Sequence, residues 1–245
     1  MKPKIIFFGS DQYSQIVLQK LQKDKHWQIV KSFQEKPDVG VLASYGRILK
    51  KKELNKLKHG ILNLHPSLLP KYRGPSPVQT ALLNGEQETG LTIIKMDEKV
   101  DHGPIISQFK ETIRPDDTAD VLLKRLFTAG AQVLTTILPD YLEGKIESRK
   151  QDDSQATYTQ KLTREDGKID WKKTAVFKER FIRAMHPWPG AWTEMEIKGK
   201  KKRLKILQAH LEANKLILDQ VQLEGKKPVT WKQFQEGYPN INFVS

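Results

Sequence analysis

Hydrophobic residues in the first 145 positions fall into short apolar runs that alternate with stretches of helical spacing. The runs predict buried strands, because a strand covered on both faces is almost continuously apolar. We predict strands at residues 4–8, 39–43, 60–64, 90–96 and 105–110, and helices at residues 13–23, 50–57, 78–84 and 118–143. Strands that alternate with helices in this way indicate a parallel, doubly wound α/β sheet.

The pattern changes near residue 145. Residues 145–160 are polar and lack periodicity, which is typical of a linker. A short helix at 177–184 and strand-like segments at 191–197, 204–209 and 215–219 follow, and this spacing favours a small barrel or sandwich. We therefore assign residues 1–150 to an α/β domain, 151–165 to a linker and 166–245 to a small β domain.

The charge of the chain favours a polyanionic partner. The net charge is +13, from 42 Lys and Arg against 29 Asp and Glu. Such an excess is typical of proteins that bind nucleic acid, although a solvated lysine-rich surface has the same composition. One basic cluster is predicted to lie in a loop between strands, where it either contacts phosphates or forms a solvated hairpin tip. Its members are Lys198, Lys200, Lys201, Lys202, Arg203 and Lys205.

Several classes of protein are disfavoured by what the sequence lacks. There is no cysteine, so disulfides and thiolate metal sites are excluded, and no spacing of His, Asp and Glu indicates a metal. No window approaches the roughly 18 apolar residues of a membrane span, and the first residues become polar too soon for a signal peptide. We expect a cytoplasmic protein without membrane contact.

Candidate chemistry begins at the predicted strand that ends near residue 65. Asn63 and His65 are two residues apart, so their side chains project from one face of a strand. An amide and an imidazole on one face can stabilise a developing negative charge and carry a proton. Taken alone, the same pair would also suit a capped strand end.

The surrounding motifs give this pair a context. Ser67-Leu68-Leu69-Pro70 and Gly74-Pro75-Ser76-Pro77 follow it, and Met96 to Gly103 contains Asp101 in the pattern Met-Asp-x-x-x-Asp-x-Gly. With these motifs the chain is identified as a member of the folate-dependent formyltransferases. The half beyond residue 155 resembles the branch that acts on methionyl-tRNA. The matching segments are Ala156-Thr157-Tyr158, Lys161-Leu162, Ile169-Asp170-Trp171 and the run from Arg183 to Trp192.

The resemblance implies a fold and a set of site residues. It implies a reduced Rossmann-like formyltransferase domain followed by a small OB-like β-barrel. Asn63 and His65 would polarise the formyl oxygen of 10-formyltetrahydrofolate, and Asp101 would hold His65 charged and oriented. The folate site would be shaped by Ser67, Leu68, Leu69 and Pro70, with Leu42, Ser44, Tyr45 and Gly46 along the pterin pocket. For Leu42 we favour core packing, and for Asp101 alone a turn residue is an equal alternative.

The resemblance also implies an activity, which is formyl transfer to the amino group of methionyl initiator tRNA by a monomeric enzyme. Two alternatives stay open: a formyltransferase for another amine, such as an amino-sugar nucleotide, and a decayed RNA-binding homologue. The chain departs from the family pattern after its first helix. About 35 to 40 residues are missing there, judged by the size of a strand-helix-strand unit, and with them a basic loop that engages the tRNA end.

Overall fold

The structure is a computed structural model that describes residues 2–47, 49–197 and 199–239. The chain forms two compact units. The first contains the described residues of 2–78, 87–113 and 121–160, and the second those of 79–86, 114–120 and 161–239.

A six-stranded sheet forms the centre of the first unit. Its strands are β1 Lys4–Phe8, β2 Gln28–Val30, β3 Val39–Ala43, β4 Ile61–His65, β5 Glu88–Lys95 and β6 Ile105–Thr112, in the order β2-β1-β3-β4-β5-β6. Along the chain, the helices are α1 Gln12–Lys23, α2 Lys51–Leu54, α3 Pro77–Asn84 and α4 Ala119–Leu142. The alternation of strands and helices predicted from the hydrophobic pattern is therefore confirmed.

The prediction of an all-parallel sheet holds for only part of it. Strands β2, β1, β3 and β4 are parallel, whereas β5 pairs antiparallel with β4 and β6 pairs antiparallel with β5. The sheet is thus mixed, with a Rossmann-like parallel part. An apolar run indicates burial on both faces but carries no information about strand direction, which is why the sequence did not reveal the reversal at β5.

The edge of the sheet reflects the shortened sequence. Strand β2 has three residues and, among the described strands, pairs only with β1. From β2 the chain passes through one turn of 3-10 helix, Phe33–Glu35, directly to β3. The sheet therefore ends on this side with a short strand, which limits the exposed backbone available for unwanted pairing.

The central strands are the most deeply buried. Every residue of β3 and β4 is buried, and the two strands pair in parallel with Ala43 beside Leu64. Their carboxyl ends therefore leave the sheet side by side, which is where α/β sheets place ligands. Rigid packing of both strands fixes the backbone from which any site at this edge projects.

Helix α4 is long and apolar enough to cross a membrane by length and composition alone. No such segment was expected from the sequence. The buried residues of α4 recur at helical spacing, as in Leu122, Leu126, Leu134 and Leu138. This one-sided pattern is that of an amphipathic helix packed on a core.

The second unit contains an antiparallel sheet of four strands in the order β10-β9-β8-β7. The strands are β7 Ala191–Ile197, β8 Lys200–Glu212, β9 Lys215–Leu223 and β10 Val229–Thr230, with helices α5 Ala175–Met185 and α6 Trp231–Gly237. A parallel bridge between Lys168 and Trp192 extends the β7 edge. Among the described residues this is an antiparallel sheet domain, and no pairing of β7 with β10 closes it into the expected OB-like barrel.

Residues 151–165, expected to be a linker, divide between the two units. Residues up to 160 belong to the first unit, where Tyr158 forms a parallel bridge with Arg73 and Gln151 is buried. Thr159 N–H donates to Arg73 O at 2.7 Å, and Arg73 N–H donates to Thr157 O at 2.8 Å. The polar composition of this segment reflects its hydrogen bonding to the first unit, which hydrophobic periodicity does not reveal.

Candidate active site

The amide and imidazole predicted from the sequence lie at the carboxyl end of β4. Asn63 and His65 are buried, at 6% and 4% exposure, and their alternate positions put them on one face of the strand. β4 is paired on both sides, by β3 and β5, so its backbone has little freedom. The site therefore begins from two fixed polar side chains in an otherwise apolar strand.

Asp101 meets both of these side chains. Asn63 Nδ2 donates to Asp101 Oδ1 at 3.1 Å, and His65 Nδ1 lies 3.5 Å from Asp101 Oδ2. A third donor, the backbone N–H of Gly74, bonds Oδ2 at 2.9 Å. The three residues predicted to act together therefore converge within hydrogen-bond reach, and the carboxylate is surrounded by donors.

The surroundings of His65 determine what its ring can do. Nε2 lies 2.9 Å from the carbonyl oxygen of Tyr72, which can only accept, so Nε2 carries a hydrogen. Nδ1 faces the Asp101 carboxylate. Both ring nitrogens therefore face acceptors, with Tyr72 O at Nε2 and the Asp101 carboxylate at Nδ1.

The loop after β4 is fixed by a buried hydroxyl. Thr92 Oγ1 donates to Ser67 O at 2.6 Å and accepts from Leu69 N–H at 3.1 Å and from Gln108 Nε2 at 2.9 Å. Gln108 Nε2 also donates to Leu69 O at 2.9 Å, and Ser67 Oγ donates to Lys71 O at 2.7 Å. Strands β5 and β6 thereby hold the Ser67–Pro70 loop in one conformation beside Asn63, His65 and Asp101.

The second group of predicted folate residues follows β3. Leu42 packs in a hydrophobic cluster with Ile6 and Ile61, so its side chain contributes to the core. Ser44 adopts a left-handed backbone conformation, with φ of +43°, and its hydroxyl bonds the Asp11 carboxylate that caps α1. Tyr45 packs on Phe8 at 5.8 Å between ring centroids, while a Cβ at Gly46 would meet only open space. The open side of this turn is therefore at Gly46.

Four residues that were not among the predicted site residues form a network next to Asp101. Arg73 is 1% exposed and bonds Gln151, Asp153 and Tyr158. Burial alone would lower the pKa of the Arg73 guanidinium, but hydrogen bonds with Asp153 and Tyr158 outweigh burial and raise that pKa. The same guanidinium lowers the pKa of Asp153. Two sequence signals touched this network: Arg73 precedes Gly74 of the Gly74–Pro77 motif, and Tyr158 ends the Ala156-Thr157-Tyr158 segment.

The His102 side chain lies between two carboxylates. It is 20% exposed, with Nδ1 2.5 Å from Asp97 Oδ2 and Nε2 3.3 Å from Asp153 Oδ2. It thereby links the turn that carries Asp101 to the Arg73 network. Within the described part of the chain, no group of three or more His, Asp and Glu side chains could hold a metal ion.

The basic cluster of the second unit lies in a strand and not in a loop. Lys200, Lys201, Lys202, Arg203 and Lys205 belong to β8, and Lys198 lies outside the described residues. Alternate residues Leu204 and Ile206 are buried, and this alternation is why the segment forms a strand despite its charge.

Neighbouring acidic residues partly neutralise this cluster. Arg203 lies opposite Glu194 in the sheet and bonds Glu165 at 2.8 Å, while its guanidinium covers the Trp192 ring at 4.1 Å. Lys201 lies opposite Glu196. A shallow cleft at the β8–β9 end is lined by Arg203, Lys205, Gln222, Leu223, Glu224 and Gly225. The cationic surface of β8 is therefore strongest at its lysines.

An imidazole, an amide and a carboxylate at the carboxyl end of a central strand suit an acyl-transfer type of site on a Rossmann-like fold. Comparison with known proteins identifies the family. Residues 18–138 match the family model described as formyl transferase, and residues 161–217 match the formyl transferase C-terminal domain. The chain belongs to the formyl transferase family.

Two relatives that are similar in sequence are named methionyl-tRNA formyltransferases. The methionyl-tRNA formyltransferase of Roseiflexus castenholzii is 39% identical over 226 residues, covering 82% of this chain and 71% of the relative. That of Roseiflexus sp. strain RS-1 is 51% identical over 158 residues, covering 64% of this chain and 49% of the relative. In the stretches matched to the first relatives, the chain spans about half of their length. The chain is thus a shortened member of the family, as its sequence predicted.

Solved structures agree on the fold. The methionyl-tRNA formyltransferase from Clostridium thermocellum matches with a TM-score of 0.70 at 21% identity, over 90% of this chain and 98% of that one. A sugar 3N-formyl transferase, solved with dTDP and 5-N-formyl-THF, matches with a TM-score of 0.66 at 21% identity, over 87% and 88%. The fold is therefore common to formyltransferases that act on different amines.

Proposed function

We propose that this chain transfers the formyl group of 10-formyltetrahydrofolate to the amino group of methionyl initiator tRNA. The observation that carries the proposal is the convergence of Asn63, His65 and Asp101 at the end of β4, in a chain 39% identical to a methionyl-tRNA formyltransferase over most of its length. Formyl transfer to an amine needs a stabiliser for the carbonyl oxygen and a route for the amine proton. The cluster can supply both.

Each residue of the cluster has a role that its contacts support. Asn63 uses one amide hydrogen on Asp101 and keeps a second for the formyl oxygen. His65, as an imidazolium, adds positive charge beside the same oxygen, which stabilises the charge that develops there. Asp101 balances that imidazolium and can take the proton released by the attacking amine.

We propose that the folate donor lies between the two loops that leave β3 and β4. Ser67, Leu68, Leu69 and Pro70 would give it a rigid wall, held by Thr92. On the other side, Ser44, Tyr45 and Gly46 leave the sheet beside them because β3 and β4 are parallel neighbours. Leu42 would support this wall from within the core. Backbone N–H and C=O groups of such loops suit a pterin, whose edge both donates and accepts.

We propose that the lysines of β8 hold the tRNA. Lys200, Lys201, Lys202 and Lys205 form no ion pair among the described residues, and phosphate contacts supply most of the affinity of a protein for nucleic acid. Arg203 and Lys198 are proposed to add to the same surface. In this assignment residues 1–150 carry the chemistry and residues 166–245 bind tRNA, in a monomeric cytoplasmic enzyme.

The main alternative acceptor is an amino-sugar nucleotide, which the fold alone does not disfavour. A sugar nucleotide carries at most two phosphates and gains little from a strand with five cations, so we favour tRNA. A decayed RNA-binding homologue is disfavoured for a separate reason: Asn63, His65, Asp101 and the Ser67–Pro70 loop are all in place.

An acid-urea gel tests the proposal. Methionyl initiator tRNA, methionyl elongator tRNA and a dTDP-amino sugar are each incubated with the protein and 10-formyltetrahydrofolate. We expect formylated initiator tRNA, with little product from the other two acceptors. If only the amino sugar is formylated, the proposed acceptor is wrong and the proposed formyl transfer stands. If the protein binds tRNA but transfers no formyl group, the decayed RNA-binding homologue is supported.

A further inference from the structure

The first unit contains a buried cation that the proposed chemistry does not use. Arg73 Nε and Nη2 donate to Gln151 Oε1 at 3.1 and 2.8 Å, Nη2 also donates to Asp153 Oδ1 at 2.8 Å, and Nη1 donates to Tyr158 Oη at 3.2 Å. Burying a guanidinium costs several kcal/mol unless its donors are satisfied. These four bonds engage all three nitrogens of the guanidinium, and they also fix the position of the Gln151 amide.

The orientation of the Gln151 amide follows from its partners. Its oxygen accepts from Arg73, which can only donate, so its nitrogen faces the other way. There Nε2 donates to the carbonyl oxygens of Asp101 and Gly103, both at 2.8 Å. Gln151 is 5% exposed, so water does not compete with these bonds. The Gln151 amide therefore has one possible orientation, in which its nitrogen is hydrogen-bonded to the backbone of Asp101.

The turn that carries Asp101 needs such support. Asp101 has a φ of +47°, in the left-handed region, which is uncommon for a non-glycine residue although Asp and Asn adopt it more readily than most. A Cβ at Gly103 would lie 1.8 Å from Lys95 O, so the turn also lies hard against β5. Gln151 bonds the carbonyl groups of Asp101 and Gly103 in this turn. These two bonds therefore contribute to the conformation of the turn that carries the carboxylate.

We propose that Gln151, held in place by Arg73, is a positioning residue that sets the Asp101 carboxylate against Asn63 and His65. The backbone N–H of Gly74, the residue after Arg73, also bonds Asp101 Oδ2. The backbone of Asp101 is thus held through Gln151, and its carboxylate by the chain segment that carries Arg73. The kinetic part of this inference rests on the proposed formyl transfer, and the geometric part does not.

The kinetic test uses Gln151→Met and Gln151→Glu. Methionine keeps the length of the side chain without its donors, and glutamate keeps the bond to Arg73 but places an oxygen against two carbonyls. We expect kcat to fall roughly 10- to 100-fold in both variants, since a displacement near 1 Å can cost that much. KM for either substrate should change little. Leu134→Ala, in the buried face of α4, serves as a matched destabilised control with unchanged kcat.

A spectroscopic readout separates this inference from the proposed function. The imidazole 15N signals of His65, assigned with His65→Gln, report its distance from the Asp101 charge. We expect those signals and their pH titration to shift in both Gln151 variants and to stay in place in Leu134→Ala. If the wild type shows no formyl transfer, the proposed function fails, and the His65 signals still decide the positioning role.

One result would overturn the inference: folded Gln151 variants with wild-type kcat and unshifted His65 signals. Should neither variant fold, Tyr158→Phe removes one partner of Arg73 at a ring that is 68% exposed. We expect a smaller shift of the His65 signals in the same direction, and an unchanged spectrum would overturn the inference equally.

Discussion

Replacing Asp101 with asparagine removes the charge at the centre of the candidate site while preserving its shape. Asparagine tolerates the left-handed backbone conformation found here, so the turn is expected to survive. Its side chain offers one oxygen where the carboxylate offers two. Either Asn63 Nδ2 or the Gly74 N–H would then face an NH2 group, donor against donor.

The size of the effect follows from these contacts. At 3.5 Å, the attraction between the Asp101 carboxylate and the His65 imidazolium is about 5 kcal/mol at an effective dielectric constant near 20. Part of that attraction is offset by the cost of desolvating both charges. We take about 3–4 kcal/mol as the loss of transition-state stabilisation, which corresponds to a 10²- to 10³-fold fall in kcat.

Single-turnover formylation of methionyl initiator tRNA measures this loss. Glu98→Gln is a matched control in the same loop, because it removes a carboxylate that pairs with Lys51 at the surface, and such pairs are worth about 0–1 kcal/mol. The control should keep its rate. A folded Asp101→Asn enzyme within a few-fold of the wild-type rate would refute the assignment of Asp101.

Three further predictions follow from other parts of the chain. Thr92→Val should lower the free energy of unfolding by about 2–5 kcal/mol in chemical denaturation and raise KM for the folate donor, because two buried backbone groups, Ser67 C=O and Leu69 N–H, lose their partner; Thr128→Val, at an exposed position, should do neither. Replacing Lys200, Lys201 and Lys202 with glutamine should reduce the slope of log affinity for tRNA against log salt by up to about 3, whereas the same change at Lys20, Lys23 and Lys25 should leave it unaltered. Burial raises the pKa of Tyr141 to about 12, so the neutral phenol stabilises the fold below pH 10, and this stabilisation is lost as pH rises from 10 to 12. Tyr141→Phe should therefore flatten the curve of unfolding free energy against pH in that range. Identical curves for the two proteins would contradict the prediction.

Local patterns predicted the elements of this fold well. The apolar runs indicated β1, β3 and β4 within a residue or so, and helical spacing indicated α1 and α4. The strand period of two correctly placed Asn63 and His65 on one face of β4. These features depend on residues that are close together in the sequence, which is why the hydrophobic pattern predicts them.

Features that depend on distant neighbours were missed. The direction of β5 and the strand at Lys200–Lys205 both depend on pairing partners. The basic residues of β8 led to the prediction of a loop, although its apolar residues alternate as in a strand. Gln151 lies 50 residues from Asp101 in a polar segment, and its role depends on one hydrogen-bonded contact. Local periodicity in the sequence cannot reveal such a contact. In a structure the contact is evident, because a buried polar group needs a hydrogen-bond partner.

The central claim is that His65, with Asn63 and Asp101, transfers a formyl group to methionyl initiator tRNA. The most direct measurement is single-turnover transfer of radiolabelled formyl from 10-formyltetrahydrofolate to this tRNA, by the wild type and by His65→Ala at saturating enzyme. We predict that wild-type protein labels the tRNA and that His65→Ala, with its fold intact, does so at least about 10²-fold more slowly. Equal rates for the two proteins, or label in an amino-sugar nucleotide but not in tRNA, would contradict the account.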